Sequence, residues 1–404
     1  MTIEIGRFEG EWTELLGLLN LSFAAPWSDV QLELERDVWE KERSIVATDG
    51  KELVGHTSAF SLRMTAPGAE VPVAGVTLVG VSPTHRRRGI LRDLMRKQLT
   101  EVYESGVEPV AALTASEPVI YGRFGYGLAS DHQHVTIERK SRELRKVAGV
   151  EDVRVRFADP AESLERCTEF HNAEAVTRPG MIQHSTEAWR QYVIGENVVT
   201  DTQGASPLRC VLAERDGELA GYAYYRSRRT DKGFIDVSRV HSNDLAAHVA
   251  LWQFLLDPDL LRETTYEGLP SDDPLLSLLL DPRAARARTS DGVWVRPADV
   301  GRALAARTYA TDIDVVVGIE DDFLPWNTGS WQLAGGPGGA TCEKTDRQPD
   351  LVLGVRELGA VYLGKPSLGL LHAAGLVEER TPGAVAAMSR AFLGDRVPWL
   401  DTGF

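Results

Sequence analysis

The residues best suited to chemistry fall in one run, Val76-Thr77-Leu78-Val79-Gly80-Val81-Ser82-Pro83-Thr84-His85-Arg86-Arg87-Arg88-Gly89-Ile90-Leu91-Arg92. A β-branched strand stops at Ser-Pro, a basic turn surrounds Gly89, and a helix follows from Ile90 towards Ser105-Gly106. Its apolar residues Ile90, Leu91, Leu94, Met95, Leu99 and Val102 have core spacing. A strand delivered into a helix through such a turn aims backbone N–H groups and the positive helix end at one point. Cations there oppose the helix dipole by roughly 0.3–1 kcal/mol each, an arrangement that a bound phosphate or pyrophosphate relieves. The competing reading is a solvated basic turn. Against it stands a net charge of −15, which makes three adjacent arginines a local exception.

Other residue types say less. Cys167, Cys210 and Cys342 are odd in number and lack C-x-x-C spacing, which predicts reduced thiols and no metal site. His132-x-His134 puts two rings on one strand face and, without a third ligand, reads as sheet surface. Gly335 to Gly339 is a hairpin loop and not a phosphate loop, because no Lys-Ser/Thr pair or helix follows it.

The elements that must position the turn are legible in outline. With 404 residues, the chain has length for two or three domains. In residues 1–140 strand and helix signals alternate: helices over 12–21 and 29–42, a hairpin of 44–48 and 53–62 turning at Asp49-Gly50-Lys51, the strand and helix above, a strand over 107–114, and 132–137 closing the sheet. A faint repeat follows. Residues 215–222 echo 48–56, 234–240 stand where the first strand stood, and a helix spans 245–256. The basic glycine turn has no counterpart, so the second copy keeps the scaffold and loses the anion site. The last ~110 residues change to a helix near 297–309, four short strands and three helices.

Composition narrows the class. No run of about 18 apolar residues predicts a membrane span, and the N-terminus lacks the pattern of a signal peptide. A cytoplasmic protein is expected, with secretion by a non-standard route left open. The acidic balance argues against nucleic acid and for a small cationic partner such as an amine or polyamine.

The strand, Arg-x-x-Gly turn and helix resemble the acetyl-CoA site of the GCN5-related N-acetyltransferases (GNATs). Pro83 to Arg92, with Ala115-Ser116-Glu117 and Ile120-Tyr121-Gly122-Arg123-Phe124-Gly125-Tyr126-Gly127, resemble more closely the enhanced intracellular survival (Eis) acetyltransferases, over the whole chain. Leu91 departs from the glycine or alanine usual in the superfamily, and Eis-like members share the bulkier residue. The resemblance implies an α+β chain of tandem GNAT domains, 1–142 with the acetyl-CoA site and 143–290 without the cofactor loop, then a sterol-carrier-protein-like α/β domain, 291–404. It implies a homohexamer, acetyl-CoA as co-substrate and no metal. By residue, Val79, Gly80 and Val81 would bond the pantetheine arm, and Arg87, Arg88, Gly89, Ile90, Leu91 and Arg92 would cradle the pyrophosphate. Ser116 and Glu117 would border the cofactor, Tyr121 would be the general acid, and the α-carboxylate of Phe404 the general base. Tyr126 and Phe124 read as packing residues.

Those parts match the chemistry. An alkyl ammonium of pKa about 10.4 must lose a proton before attack, at about 4–5 kcal/mol near pH 7. A carboxylate can hold the ammonium and take that proton, and a tyrosine hydroxyl can protonate the leaving thiolate. No Cys-His or Ser-His pairing is evident, which favours direct transfer in a ternary complex. The acceptor is a small cationic amine, such as an aminoglycoside acetylated at several positions, or a protein lysine. Gly403, Ala24 and Ala25 stand where aminoglycoside-modifying members can carry acids, and Asp29, Glu33, Glu35 and Asp401 are the acids that can replace them. The competing classes are another acyl-CoA N-acyltransferase and a non-catalytic protein holding an apolar ligand.

Overall fold

The computed structural model describes residues 3–23, 29–199, 204–229, 233–257 and 259–404, without the side chains of 29–30 and 194–199. The chain forms two compact units, one of Met1–Ser130, Thr177–Ile182 and Gly292–Phe404, the other of Asp131–Val176 and Gln183–Asp291.

The first unit begins with β1 (Ile3–Arg7), α1 (Trp12–Phe23), α2 (Asp29–Val38), β2 (Ile45–Asp49), β3 (Glu52–Ala66), β4 (Ala69–Val81), α3 (Ile90–Ser105), β5 (Val110–Thr114), α4 (Pro118–Tyr121) and β6 (Gly127–Leu128). The second holds β7 (Asp131–Glu138), β8 (Arg154–Ala158), α5 (Leu164–Ala175), α6 (Glu187–Val199), β9 (Arg209–Arg215), β10 (Glu218–Arg228), β11 (Phe234–Ser242), α7 (Leu245–Leu256), β12 (Glu263–Pro270), α8 (Leu275–Leu278) and β13 (Arg288–Asp291). The chain then returns to the first unit with β14 (Val293–Pro297), α9 (Val300–Ala305), β15 (Ile313–Glu320), β16 (Gly329–Gly336), β17 (Gly339–Thr345), β18 (Leu351–Gly354), α10 (Val355–Val361), α11 (Leu368–Ala373), β19 (Val377–Glu379) and α12 (Ala384–Phe392).

Three sheets result, ordered β1-β2-β3-β4-β5-β14-β6, β13-β7-β12-β11-β10-β9-β8 and β17-β16-β15-β18-β19. This corrects one expectation. Residues 132–137 do not close the first sheet: β7 pairs antiparallel with β12 and β13 in the second, while β14 enters the first between β5 and β6. The reason is burial. Val293 and Val295 are fully buried, so β14 is suited to an interior position. On β7 only Val135 and Ile137 are buried, and they join the core of the second sheet.

The expected repeat is present. β4 and β5 pair in parallel with α3 between them, as β11 and β12 do with α7 between them. Of the stripe read from the sequence, α3 buries Ile90, Leu94, Met95, Leu99 and Val102, together with Gln98, while Leu91 is half-buried and lines the cleft. The Gln98 side chain donates to Ser58 O at 2.8 Å and accepts from Thr57 Oγ1 at 2.9 Å, so this buried amide is satisfied. The third sheet packs Val315, Val317 and Leu333 against Leu304, Leu358, Met388 and Phe392. Gly335 to Gly339 turns the β16–β17 hairpin, as expected. Cys167, Cys210 and Cys342 are free and buried. No helix among the described residues is long and apolar enough to cross a membrane.

Candidate cofactor cleft and acyl-transfer site

The cleft opens where two parallel strands part. β4 pairs with β5 only from Val73 to Gly75, opposite Val110 to Ala112, and then runs on to Val81 without β5. On its other edge β4 carries one extra residue: His56 pairs with Gly80 and Ser58 with Thr77, and Leu78 sits at φ +51°. A leucine in the left-handed region is strained by about 1–2 kcal/mol, and strain of this kind collects at functional sites. Leu78 is held there by His56, whose Nδ1–H donates to Leu78 O at 2.7 Å. Burial pushes the His56 imidazole down to about 4, so it is neutral at neutral pH, and the bond to Leu78 O offsets only part of that shift.

The basic turn follows the bulge. Arg87 and Gly89 both adopt positive φ, +64° and +85°. Gly89 caps α3 with no side-chain hydrogen bond to the helix, so the first N–H groups of α3 are offered to whatever occupies the cleft. The cleft is a cavity of about 960 Å³ lined by Val79, Gly80, Val81, Arg87, Gly89, Ile90, Leu91, Arg92, Ser116, Glu117 and Tyr121. Eleven of the thirteen residues singled out from the sequence therefore meet in one place. Arg88 is exposed and Phe404 half-buried, and neither is among the lining residues. The cavity also gathers Arg86, Arg96, Arg123, Phe124, Asp322 and Phe323. Arg96 was signalled by its i, i+4 spacing from Arg92 on α3. Asp322 and Phe323 carried no local signal.

Tyr121 ends the short helix α4. Its burial pushes the phenol up to about 12, so the hydroxyl keeps its proton through the neutral range, and it makes no hydrogen bond to the described residues. Behind it Tyr126 is fully buried, ring edge to ring face, with centroids 6.0 Å apart. The turn between them is fixed from outside α4. Arg296 of β14, wholly buried, donates from Nε to Phe124 O at 3.1 Å and from Nη2 to both oxygens of Asp321 at 3.0 and 2.8 Å. Asp321 also accepts from the N–H groups of Phe323 and Leu324, at 3.1 and 2.9 Å, and from Asn327 Nδ2 at 2.9 Å.

The chain end is docked, not frayed. Trp399 is buried, its N–H donates to Pro179 O at 2.9 Å, and Arg178 covers its ring at 5.2 Å. Thr114 Oγ1, at the end of β5, donates to the main-chain oxygen of Phe404 at 2.9 Å. Gly75 faces the Phe404 ring so closely that an added Cβ would lie 3.2 Å from Cε2. Phe404 thus rests where β4 and β5 begin to part. Of the acids named as acceptor ligands, Glu33, Glu35 and Asp401 do not line the cavity, and the Asp29 side chain, like Ala24 and Ala25, lies outside the described residues.

A splayed β4–β5 pair, a bulged β4, an uncapped helix behind a basic turn and a buried proton-bearing tyrosine define a GCN5-related N-acetyltransferase. Family models agree: an acetyltransferase (GNAT) domain matches residues 7–129, a second matches 180–297, and a sterol carrier protein domain matches 300–401. An uncharacterized N-acetyltransferase of Streptomyces avermitilis is 44% identical, with 92% of both chains covered. N-acetyltransferase Eis of Mycobacterium tuberculosis is 32% identical, with 96% of both covered. Eis1 from Mycobacterium abscessus superposes with a TM-score of 0.84 at 30% identity over all of both chains. The chain belongs to the Eis family of N-acetyltransferases.

Proposed function

We propose that this N-acetyltransferase moves acetyl from acetyl-CoA to a primary amine of a small polycationic acceptor, such as an aminoglycoside, or of a protein lysine, by direct transfer in a ternary complex. The observation that carries this reading is the meeting, in one cavity, of an open helix N-terminus with its arginines and a tyrosine held protonated by burial. These residues fit the co-substrate: Val79 to Val81 would hold the pantetheine arm, Arg87 to Arg92 the pyrophosphate, and Ser116 and Glu117 the cleft border. Bound acetyl-CoA supplies the activated thioester.

The chain's own groups do the rest. The α-carboxylate of Phe404, steadied by Thr114, holds the acceptor ammonium and takes its proton, directly or through water. Its ordinary pKa of about 3.5 makes it a weak base, one that desolvation by the apolar side chains of the terminal segment would strengthen. Tyr121 gives its proton to the departing thiolate. A reacting group held between fixed acid and base needs no covalent enzyme intermediate. Gly403 leaves the acceptor pocket less acidic beside Phe404, so aminoglycosides are one acceptor class beside polyamines and lysine side chains. The family resemblance adds a homohexamer, which light scattering on a sizing column tests, and a cytoplasmic location with secretion by a non-standard route left open. Thiol release from acetyl-CoA against a panel of amines tests the activity: amine-dependent release is expected, and none at any pH from 6 to 9 overturns it.

A further inference from the structure

The cleft holds more positive charge than a pyrophosphate uses. Five arginines line it, Arg86, Arg87, Arg92, Arg96 and Arg123, against the carboxylates of Glu117 and Asp322. None of the five forms an ion pair with a carboxylate among the described residues. In a chain of net charge −15 such unpaired cations gather where a ligand brings the counter-charge. The turn and the first turn of α3 accommodate one diphosphate. Arg96 lies one turn beyond Arg92, about 6 Å further along the helix at 1.5 Å per residue, and adds a cation that one diphosphate does not require.

Arg96 is also held in place. Its Nη1 donates to Phe323 O at 2.8 Å and its Cζ lies 4.5 Å from the centre of the Phe323 ring. Phe323 is in turn fixed by the buried Arg296–Asp321 pair through its own N–H. One edge of the Arg96 guanidinium is therefore spent on orientation, and its remaining N–H groups stay available in the cavity. A planar, pre-oriented guanidinium suits a phosphate monoester.

We propose that Arg96, with Arg123, forms a second phosphate subsite in this cleft, one that reads the 3′-phosphate of CoA. This rests on the acetyl-CoA reading of the cleft. Chemically it makes the strand–helix loop ahead of Trp326, supplied by the C-terminal domain, part of cofactor selection. The class of ligand recognised is a nucleotide bearing both a diphosphate and a ribose monophosphate, a ribose apart.

Calorimetric titration of the intact protein with CoA and with 3′-dephospho-CoA tests it without catalysis. Wild type should bind CoA about tenfold more tightly or better, the scale of one charge-assisted hydrogen bond. Arg96→Ala combined with Arg123→Ala should bring the ratio to about 1 by weakening CoA alone, with 3′-dephospho-CoA bound as by wild type. Arg96→Lys should restore part of the ratio. Equal binding of both ligands by wild type overturns the subsite and leaves the cleft intact. A ratio that survives in the double variant, or affinities for both ligands that fall together, also overturns it. Binding of neither ligand by wild type instead brings down the acetyl-CoA reading itself.

Discussion

The two crossover helices, α3 and α7, are the same architectural part in two conditions. Each follows a strand and leads into a parallel neighbour. At the start of α3 stands Gly89, which contributes no side chain to the helix N–H groups and is surrounded by arginines. At the start of α7 stands Asp244, whose carboxylate accepts from Ala247 N at 2.9 Å and from Arg215 Nη1 at 3.0 Å. The second copy thus fills its anion position with its own carboxylate. The first leaves that position to a ligand. The bodies of the helices follow suit: α7 buries nine of its twelve residues, while α3 keeps an exposed face that includes Arg92. The two helix starts differ here by a cap, not by a fold.

That contrast can be pressed at several points. The largest effect is expected where only the first copy has the chemistry. Tyr121→Phe should lower kcat by about 10²–10⁴, the usual size of acid–base effects, while CoA affinity measured by titration stays within about twofold. A fall in affinity equal to the fall in rate would make Tyr121 a packing residue. Extending the chain past Phe404 should cost nearly as much, because it removes the α-carboxylate that Thr114 steadies. A fully active C-terminal fusion refutes the base.

Smaller effects concern stability. His56 is depressed to about 4 from an ordinary 6.5. Between those values the unfolded chain binds a proton that the folded chain does not, so stability rises with pH. The contribution is complete above about pH 6.5 and is lost as pH falls through 4, on the order of 3 kcal/mol in all. His56→Leu should therefore be less sensitive than wild type when melting temperatures at pH 4.5 and 7.5 are compared. At pH 7.5 it should also release Leu78 and raise KM for acetyl-CoA. An unchanged pH response would remove His56 from the account. Asp244→Ala should be milder, about 1 kcal/mol of stability lost with the cap, with KM for acetyl-CoA as in wild type.

Most of this was legible where the rules are local. The hairpin at Asp49-Gly50, the helix over 245–256 and the apolar stripe of α3 follow from turn chemistry and periodicity, and each is present. The basic turn was legible because strand, glycine and cations stand adjacent. What was not legible depends on distance in sequence. The exchange of β7 and β14 between sheets is decided by which strand can bury both faces, a property of the neighbours. The wall formed by Phe323 exists because Arg296 and Asp321 pair inside the unit, 25 residues apart. The bulge next to Gly80 puts its positive φ on Leu78, a residue type that does not announce it. Its cause, His56, lies on the adjacent strand and reads in isolation as an ordinary strand residue.

The central claim is that α3 alone keeps an open anion site, and CoA binding stoichiometry tests it most directly. Titration should give one CoA per chain in wild type and in Asp244→Ala, and none measurable when Arg87→Glu and Gly89→Val are combined in a protein that still melts cooperatively. Two CoA per chain, or binding that survives the turn variant and disappears with Asp244→Ala, would contradict the account.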